Sequence, residues 1–221
     1  MATRKSQRLG IIIILVALVV GTIGSFAVMV LASQNQKKDA AQQQKLLADY
    51  QKKNTEYQAQ VAKQGDELSA QYYATFSPFA SRVSEFSADG ITSIQKEDLV
   101  VGDGEEIKDT TKFAAYYIGW NPKGKIFDQS IDGEKLKAPY TIAGLKDAMV
   151  IDGWKEALVG MKIGGVREIT LPSDKAYGEK GQGDDIPPNT PLKFIVMAIQ
   201  PPASIPMPEY PPELLKGLGA Y

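Results

Sequence analysis

From Gly10 to Ala32 the chain runs twenty-three residues without a charged side chain, through Ile11-Ile12-Ile13-Ile14-Leu15-Val16. As a helix this segment spans roughly 35 Å, enough for a hydrocarbon core of about 30 Å. Arg4, Lys5 and Arg8 all precede it. The positive-inside tendency then leaves residues 1–9 in the cytoplasm and sends everything after Ser33 to the far side, a bias that Lys37 and Lys38 weaken slightly. A cleaved signal peptide ending at Val30-Leu31-Ala32 is the competing reading. Its apolar region normally runs only ~7 to 15 residues, so length favours an uncleaved transmembrane anchor over 10–32. Either way the remainder is exported.

Residues 33–75 are rich in Gln, Lys and Ala, contain no proline and have a single glycine, Gly65. That composition predicts a long polar helix, a stalk. Heptad seams run through Leu47, Asn54, Val61 and Leu68 and through Tyr50, Tyr57, Gln64 and Gln71. They are too polar for a strong coiled coil, but they offer a homodimer contact in which Asn54 sets register. Ser77-Pro78 reads as an N-cap followed by proline, opening a short amphipathic helix within 76–90. That helix sets Phe79, Val83 and Phe86 on one face, stops at Asp89-Gly90 and docks on the domain that follows. At the other end, residues 201–221 carry six prolines, at 201, 202, 206, 208, 211 and 212. This predicts an extended tail lying loosely along that domain, with one helical turn at Leu214-Leu215-Lys216.

The sequence contains neither Cys nor His. Thiol nucleophiles, thiolate or imidazole zinc sites and Ser-His-Asp relays are thereby excluded. Net charge divides as +3 over residues 1–32, +1 over 33–72 and −5 over 73–221. An acidic body does not grip a phosphate backbone, so nucleic acid is not an expected partner.

Between 91 and 200 the pattern is one of short apolar runs bounded by turn residues: 98–101, 113–120, 125–127, 140–142, 166–172 and 192–199. These are strand signals. Asn121-Pro122-Lys123-Gly124 suits a tight turn between antiparallel strands. One segment looks helical, Trp154 to Met161, with Asp152 as N-cap. An α+β domain follows, an antiparallel twisted sheet wrapped around one short helix, preceded by a transmembrane helix and a long polar helix.

Within that domain stand, in order, Val101-Gly102-Asp103-Gly104, Tyr117-Ile118-Gly119, Phe127-Asp128-Gln129-Ser130, Val150-Ile151-Asp152-Gly153-Trp154, Gly160-Met161, Ala176-Tyr177-Gly178 and Ile186-Pro187-Pro188-Asn189-Thr190, then Leu192 and Phe194. In order and spacing they resemble the FKBP family, the macrolide-binding immunophilins, which are peptidyl-prolyl cis-trans isomerases. The resemblance covers about 94–200. It implies a pocket walled by Tyr117, Phe127, Tyr140, Val150, Ile151, Tyr177, Ile186 and Phe194, floored by Trp154, with Asp128 at the rim. It further implies that the Ile151 backbone amide and the Tyr177 hydroxyl donate to a substrate carbonyl, and that 177–186 forms a flap containing Gln182, where the family often has His. Proline-containing polypeptides are the implied partners and macrolides the implied ligands, with no cofactor, metal or covalent intermediate. Two departures stand out. Tyr140 occupies a position usually held by Phe, and the longer stretch Ile131 to Ala138 lacks the Arg that commonly pairs with the rim aspartate, leaving Lys135 or Lys137 as substitutes without a planar fork.

Other chemistries fit less well. Asp128, Ser130, Asp132 and Gly133 match the start of a calcium loop, but its last position is Pro139 where Glu is needed. Asp184-Asp185 would repel an anion from the glycines at 178, 181 and 183. The expectation is therefore a membrane-anchored, outward-facing prolyl isomerase assisting the folding of exported proteins. The alternative is an FKBP-like binding module or chaperone that holds proline-containing segments without significant turnover.

Overall fold

The structure is a computed structural model, and it describes residues 36–215. The segment expected to form the anchor, 10–32, lies outside them. Among the described residues no helix is long and apolar enough to cross a membrane. The chain divides into two compact units, one containing the described residues 36–60 and 205–215, the other 61–204.

Unit 61–204 is built on a six-stranded antiparallel sheet. Its strands are β1 (Gln95–Val100), β2 (Phe113–Trp120), β3 (Ile126–Gln129), β6 (Tyr140–Ile142), β7 (Val166–Leu171) and β8 (Leu192–Ile199). They run in the order β1-β7-β8-β2-β3, with β6 also pairing β2. The Asn121 turn forms as its residues predict. Gly124, at φ 68°, donates to the Asn121 carbonyl, and the Asn121 side chain accepts from the amides of Lys123 and Lys125. Residues 131–138, the longer stretch without an Arg, contain a small hairpin of β4 (Ile131–Asp132) and β5 (Lys135–Leu136) turning at Gly133, φ 60°.

One face of the sheet packs on the short helix α2 (Asp152–Leu158). The expected helix is shifted: Ile151, in extended conformation, is the N-cap residue, Asp152 is already helical, and Met161 lies beyond the end. Arg167, only 5% exposed, fixes this helix from below. It bonds both Asp98 oxygens at 2.6 and 3.0 Å and donates to the Ala157 carbonyl at 2.7 Å, so the helix end, β1 and β7 share one buried guanidinium.

The opposite face is covered as well. Ala114, Tyr116, Ile118 and Trp120 of β2 point there with Ile195, Met197 and Ile199 of β8, and all are at most 3% exposed. Phe76 and, half-buried, Tyr72, Phe79, Val83 and Phe86 lie against them. These residues come from the long helix α1 (Gln36–Phe76), of which 61–76 belong to this unit, and from the segment after it. The stripe Phe79, Val83, Phe86 therefore docks on the domain as expected, but not on a new α-helix. Phe76 stays in α-helical conformation and Ser77 makes no capping bond, so the chain tightens without interruption into a 3-10 turn, Ser77–Arg82. Pro78 costs little there, since a chain leaving the α-helical ladder no longer needs its N–H.

An ion cluster pins this cover. Glu168, 8% exposed, accepts from Arg82 at 2.7 Å and Lys193 at 2.9 Å. Burial pushes the Glu168 carboxyl up, but its two cationic hydrogen bonds outweigh that and hold it below its usual 4.5. A carboxyl so depressed stabilises the fold fully above its unfolded pKa and loses that contribution as pH falls through its folded value. Glu168→Gln should therefore show a smaller drop in urea-unfolding free energy between pH 7 and pH 3 than the unsubstituted chain. Equal drops would mean the cluster does not carry acid sensitivity.

In the other unit, residues 205–211 have no regular secondary structure and are followed by a single helical turn, α3 (Pro212–Leu215). Of the tail expected along the 91–200 domain, residues 205–215 group instead with helix residues 36–60, and Tyr210 meets Tyr50 edge-on with ring centroids 5.0 Å apart. Prolines remove the amides a sheet edge would need, leaving side-chain packing as the way to hold such a segment.

Candidate functional site

Side chains alternate along β2, so Tyr117 projects to the α2 side while Tyr116 and Ile118 project to the other. On β8, Phe194 projects to the same side as Tyr117. α2 brings Trp154 beneath them. The indole meets Tyr117 at 5.4 Å and 84° and Phe194 at 5.6 Å and 86°, and Phe127 meets Phe194 at 5.5 Å and 84°. Each ring thus offers its edge to a neighbour's face, the arrangement aromatic quadrupoles favour.

Above this cluster opens a cavity of about 370 Å³ lined by Tyr117, Phe127, Asp128, Tyr140, Met149, Val150, Ile151, Trp154, Tyr177 and Phe194. The structure thus brings together nine of the residues singled out in the sequence and leaves two aside. Ile186 is 2% exposed and belongs to the same buried cluster as Trp154 and Phe194, outside the cavity lining. Gln182 lies outside the lining, and its amide donates to the Ile186 carbonyl at 2.8 Å to close the 177–186 loop. Met149 was missed. It is 94% exposed at the lip, where no apolar period marks it.

Polar groups in the cleft are few. Tyr117 donates its hydroxyl to Asp128 Oδ2 at 2.8 Å, and the Gln129 amide donates to Asp128 Oδ1 at 3.0 Å. Of the two lysines considered for Asp128, Lys135 bonds Asp66 at 2.9 Å and Lys137 donates to the Gln129 carbonyl at 2.9 Å. The Tyr117 hydroxyl is pushed well above its usual range by burial, then by its bond to Asp128 and that charge. Tyr177 is raised by burial and by Asp128. Both phenols therefore remain protonated donors across the physiological range. The Trp154 indole N–H is buried without a hydrogen-bond partner among the described residues. Tyr140 reaches the Met149 carbonyl at 3.4 Å, a long contact made by the hydroxyl that distinguishes it from Phe.

Gly119 makes room for the walls. A Cβ there would sit 2.7 Å from both Phe127 Cζ and Phe194 Cε1. Gly119→Ala should push one or both rings into the cleft, costing about 1–3 kcal/mol of stability and weakening binding of any proline peptide. Unchanged peptide affinity, measured by titration calorimetry, would count against these rings as walls.

The loop that borders the cleft is tied to the sheet. Asn121 donates to the Asp185 carbonyl at 2.8 Å, and Lys125 pairs with the Asp185 carboxylate.

A family model described as FKBP-type peptidyl-prolyl cis-trans isomerase matches residues 103–199. The chain is 42% identical over 100 residues to an FK506-binding protein of Neisseria meningitidis serogroup A, covering 45% of this chain and 88% of that one. It is 42% identical over 106 residues to FK506-binding protein 4 of Dictyostelium discoideum, covering 48% of this chain but only 27% of that longer protein. A crystal structure of a peptidyl-prolyl cis-trans isomerase from Pseudomonas syringae pv. tomato superposes with a TM-score of 0.42 at 31% identity, over 59% of this chain and 92% of that one.

Proposed function

Since the chain belongs to the FKBP-type peptidyl-prolyl cis-trans isomerase family, we propose that its cleft accelerates rotation about Xaa–Pro peptide bonds in exported polypeptides, from a domain carried outside the membrane by residues 10–32. The observation that carries the catalytic reading is the aromatic cleft, floored by Trp154 and furnished with protonated phenol donors.

Rotation about a peptide bond is resisted by ~18 to 20 kcal/mol of resonance, which places partial charge on oxygen and nitrogen. Twisting the bond removes that charge separation. A water-poor aromatic cleft therefore stabilises the twisted amide relative to the planar one. Each 1.4 kcal/mol of preference gives about tenfold in rate, so a 10⁵-fold acceleration needs about 7 kcal/mol. Desolvation alone falls short of that. In this proposal the Tyr177 hydroxyl and the Ile151 amide supplement it by gripping the substrate backbone, so that binding energy goes into holding the twisted geometry. Ile151 precedes α2 in extended conformation, so its N–H stands outside the helical ladder. Tyr117 fixes the carboxylate of Asp128 at the rim, and Phe127, Tyr140, Val150 and Phe194 enclose the proline ring. The acid–base and covalent steps that hydrolytic sites need have no place in this scheme, because no bond is broken.

Macrolides are the expected competitors for the cleft, a reading supported by relatives named as FK506-binding proteins. The outward placement rests on the uncharged stretch 10–32 and the basic residues before it. One experiment addresses both parts. Membranes containing the full chain should accelerate isomerisation of an added Xaa–Pro peptide, and external protease should remove the 91–200 domain from intact cells stripped of any wall. Protection of the domain from protease would contradict the outward placement, and lack of acceleration would contradict the catalysis.

A further inference from the structure

The stripe of α1 that suits pairing with a second helix already has an occupant. Leu47, Tyr50, Asn54 and Tyr57 recur at alternating spacings of three and four and are half-buried, while Ala48, Asp49, Gln51 and Lys52 between them are exposed. In the tail, Ile205, Pro208, Tyr210 and Pro211 are half-buried and Pro206, Met207 and Glu209 are exposed. Ile205, Pro208 and Pro211 keep the spacing of three of a polyproline II helix and so share one face of an extended, proline-stiffened segment, with Tyr210 beside that face and half-buried Leu214 on the helical turn that follows. Tyr210 packs its ring against Tyr50 at 5.0 Å, and the tail and helix residues 36–60 form one compact unit. Proline-rich segments bind aromatic surfaces in this manner because little conformational entropy remains to be lost.

We propose that residues 205–214 are an intrachain strap that seats on the Leu47–Tyr57 stripe and keeps a second copy of the chain off it. The tail competes well because it is tethered. Its approach is anchored where Gln64 donates to the Ala203 carbonyl at 2.8 Å, so the strap faces its stripe at an effective concentration of order mM, which a second copy in dilute solution does not match. The seam is also a weak dimer site by itself, with Asn54 where an apolar residue would pair best.

The absence of cysteine from the sequence makes a direct test simple. The detergent-solubilised full chain carrying Tyr50→Cys and Tyr210→Cys is treated with a short bismaleimide. The expected product is an internally linked chain with the mass of one chain plus one linker; a product containing two chains, or none, overturns the strap. A second variant ends at Ser204 and keeps unit 61–204 whole. It should show a several-fold stronger tendency to dimerise by light scattering than the full chain, with isomerase activity unchanged. If it stays as monomeric as the full chain, the strap does not guard the stripe.

Discussion

A fragment consisting of residues 91–200 should aggregate or unfold at room temperature although it contains every residue of the cleft, whereas 61–204 should fold. The reason lies on the face of the sheet away from the cleft. Tyr116, Ile118 and Trp120 are at most 1% exposed there, and the residues that cover them, Phe76, Phe79, Val83 and Phe86, lie before 91. Trp120 also loses the Ser84 carbonyl that accepts its indole N–H at 3.1 Å. Exposing a large apolar side chain costs about 1.5–3 kcal/mol. Three such losses amount to roughly 5–9 kcal/mol, comparable with the 5–15 kcal/mol that holds a typical domain together. Thermal unfolding with light scattering distinguishes the outcomes. A 91–200 fragment as soluble and as stable as 61–204 would show that the cover is dispensable.

The second large effect concerns Trp154. It is 4% exposed and touches both Tyr117 and Phe194, so Trp154→Ala removes the floor and leaves a cavity in the core. The expected cost is about 3–5 kcal/mol of stability. Activity should fall at least tenfold, about 1.4 kcal/mol of transition-state stabilisation. Because destabilisation alone lowers activity, the informative comparison is Trp154→Phe, which keeps an aromatic floor. Its stability loss should be smaller and its kcat/KM, measured well below its Tm, should lie between the other two. If Trp154→Ala, kept folded at low temperature, works as fast as the original, the indole is merely core.

Much of the cleft was legible in the sequence because its residues sit in compact strings on regular elements. Tyr117-Ile118-Gly119 falls within β2, Phe127-Asp128 on β3, and Val150 to Trp154 at the start of α2. Strands β2, β6 and β8 begin and end where apolar runs meet turn residues. The stripe Phe79, Val83, Phe86 reads as docking on the domain, but not which face it covers or that Phe76 of the long helix joins it. Phe113 to Trp120 and Leu192 to Ile199 are almost wholly buried along their length, a pattern that belongs to strands packed on both sides. The break expected at Ser77-Pro78 did not occur because packing of Phe76 and Phe79 on the sheet outweighs local capping preference. β1 starts earlier than expected because Gln95, Lys96 and Glu97 are polar and exposed on an edge strand, held by backbone pairing to β7 that leaves no apolar trace. Met149 was invisible for the opposite reason, being exposed in a loop where neither burial nor periodicity selects a residue.

The central claim is that an apolar aromatic cleft lowers the barrier to rotation about an Xaa–Pro amide. It is tested most directly by NMR exchange on a short Xaa–Pro peptide with fragment 61–204, in parallel with the same fragment carrying Tyr177→Phe and Asp128→Ala. The account predicts cis–trans exchange that speeds up in proportion to the unsubstituted fragment and drops with each substitution while the fold is retained. A folded 61–204 fragment that binds the peptide in its cleft yet leaves the exchange rate at its uncatalysed value would contradict it.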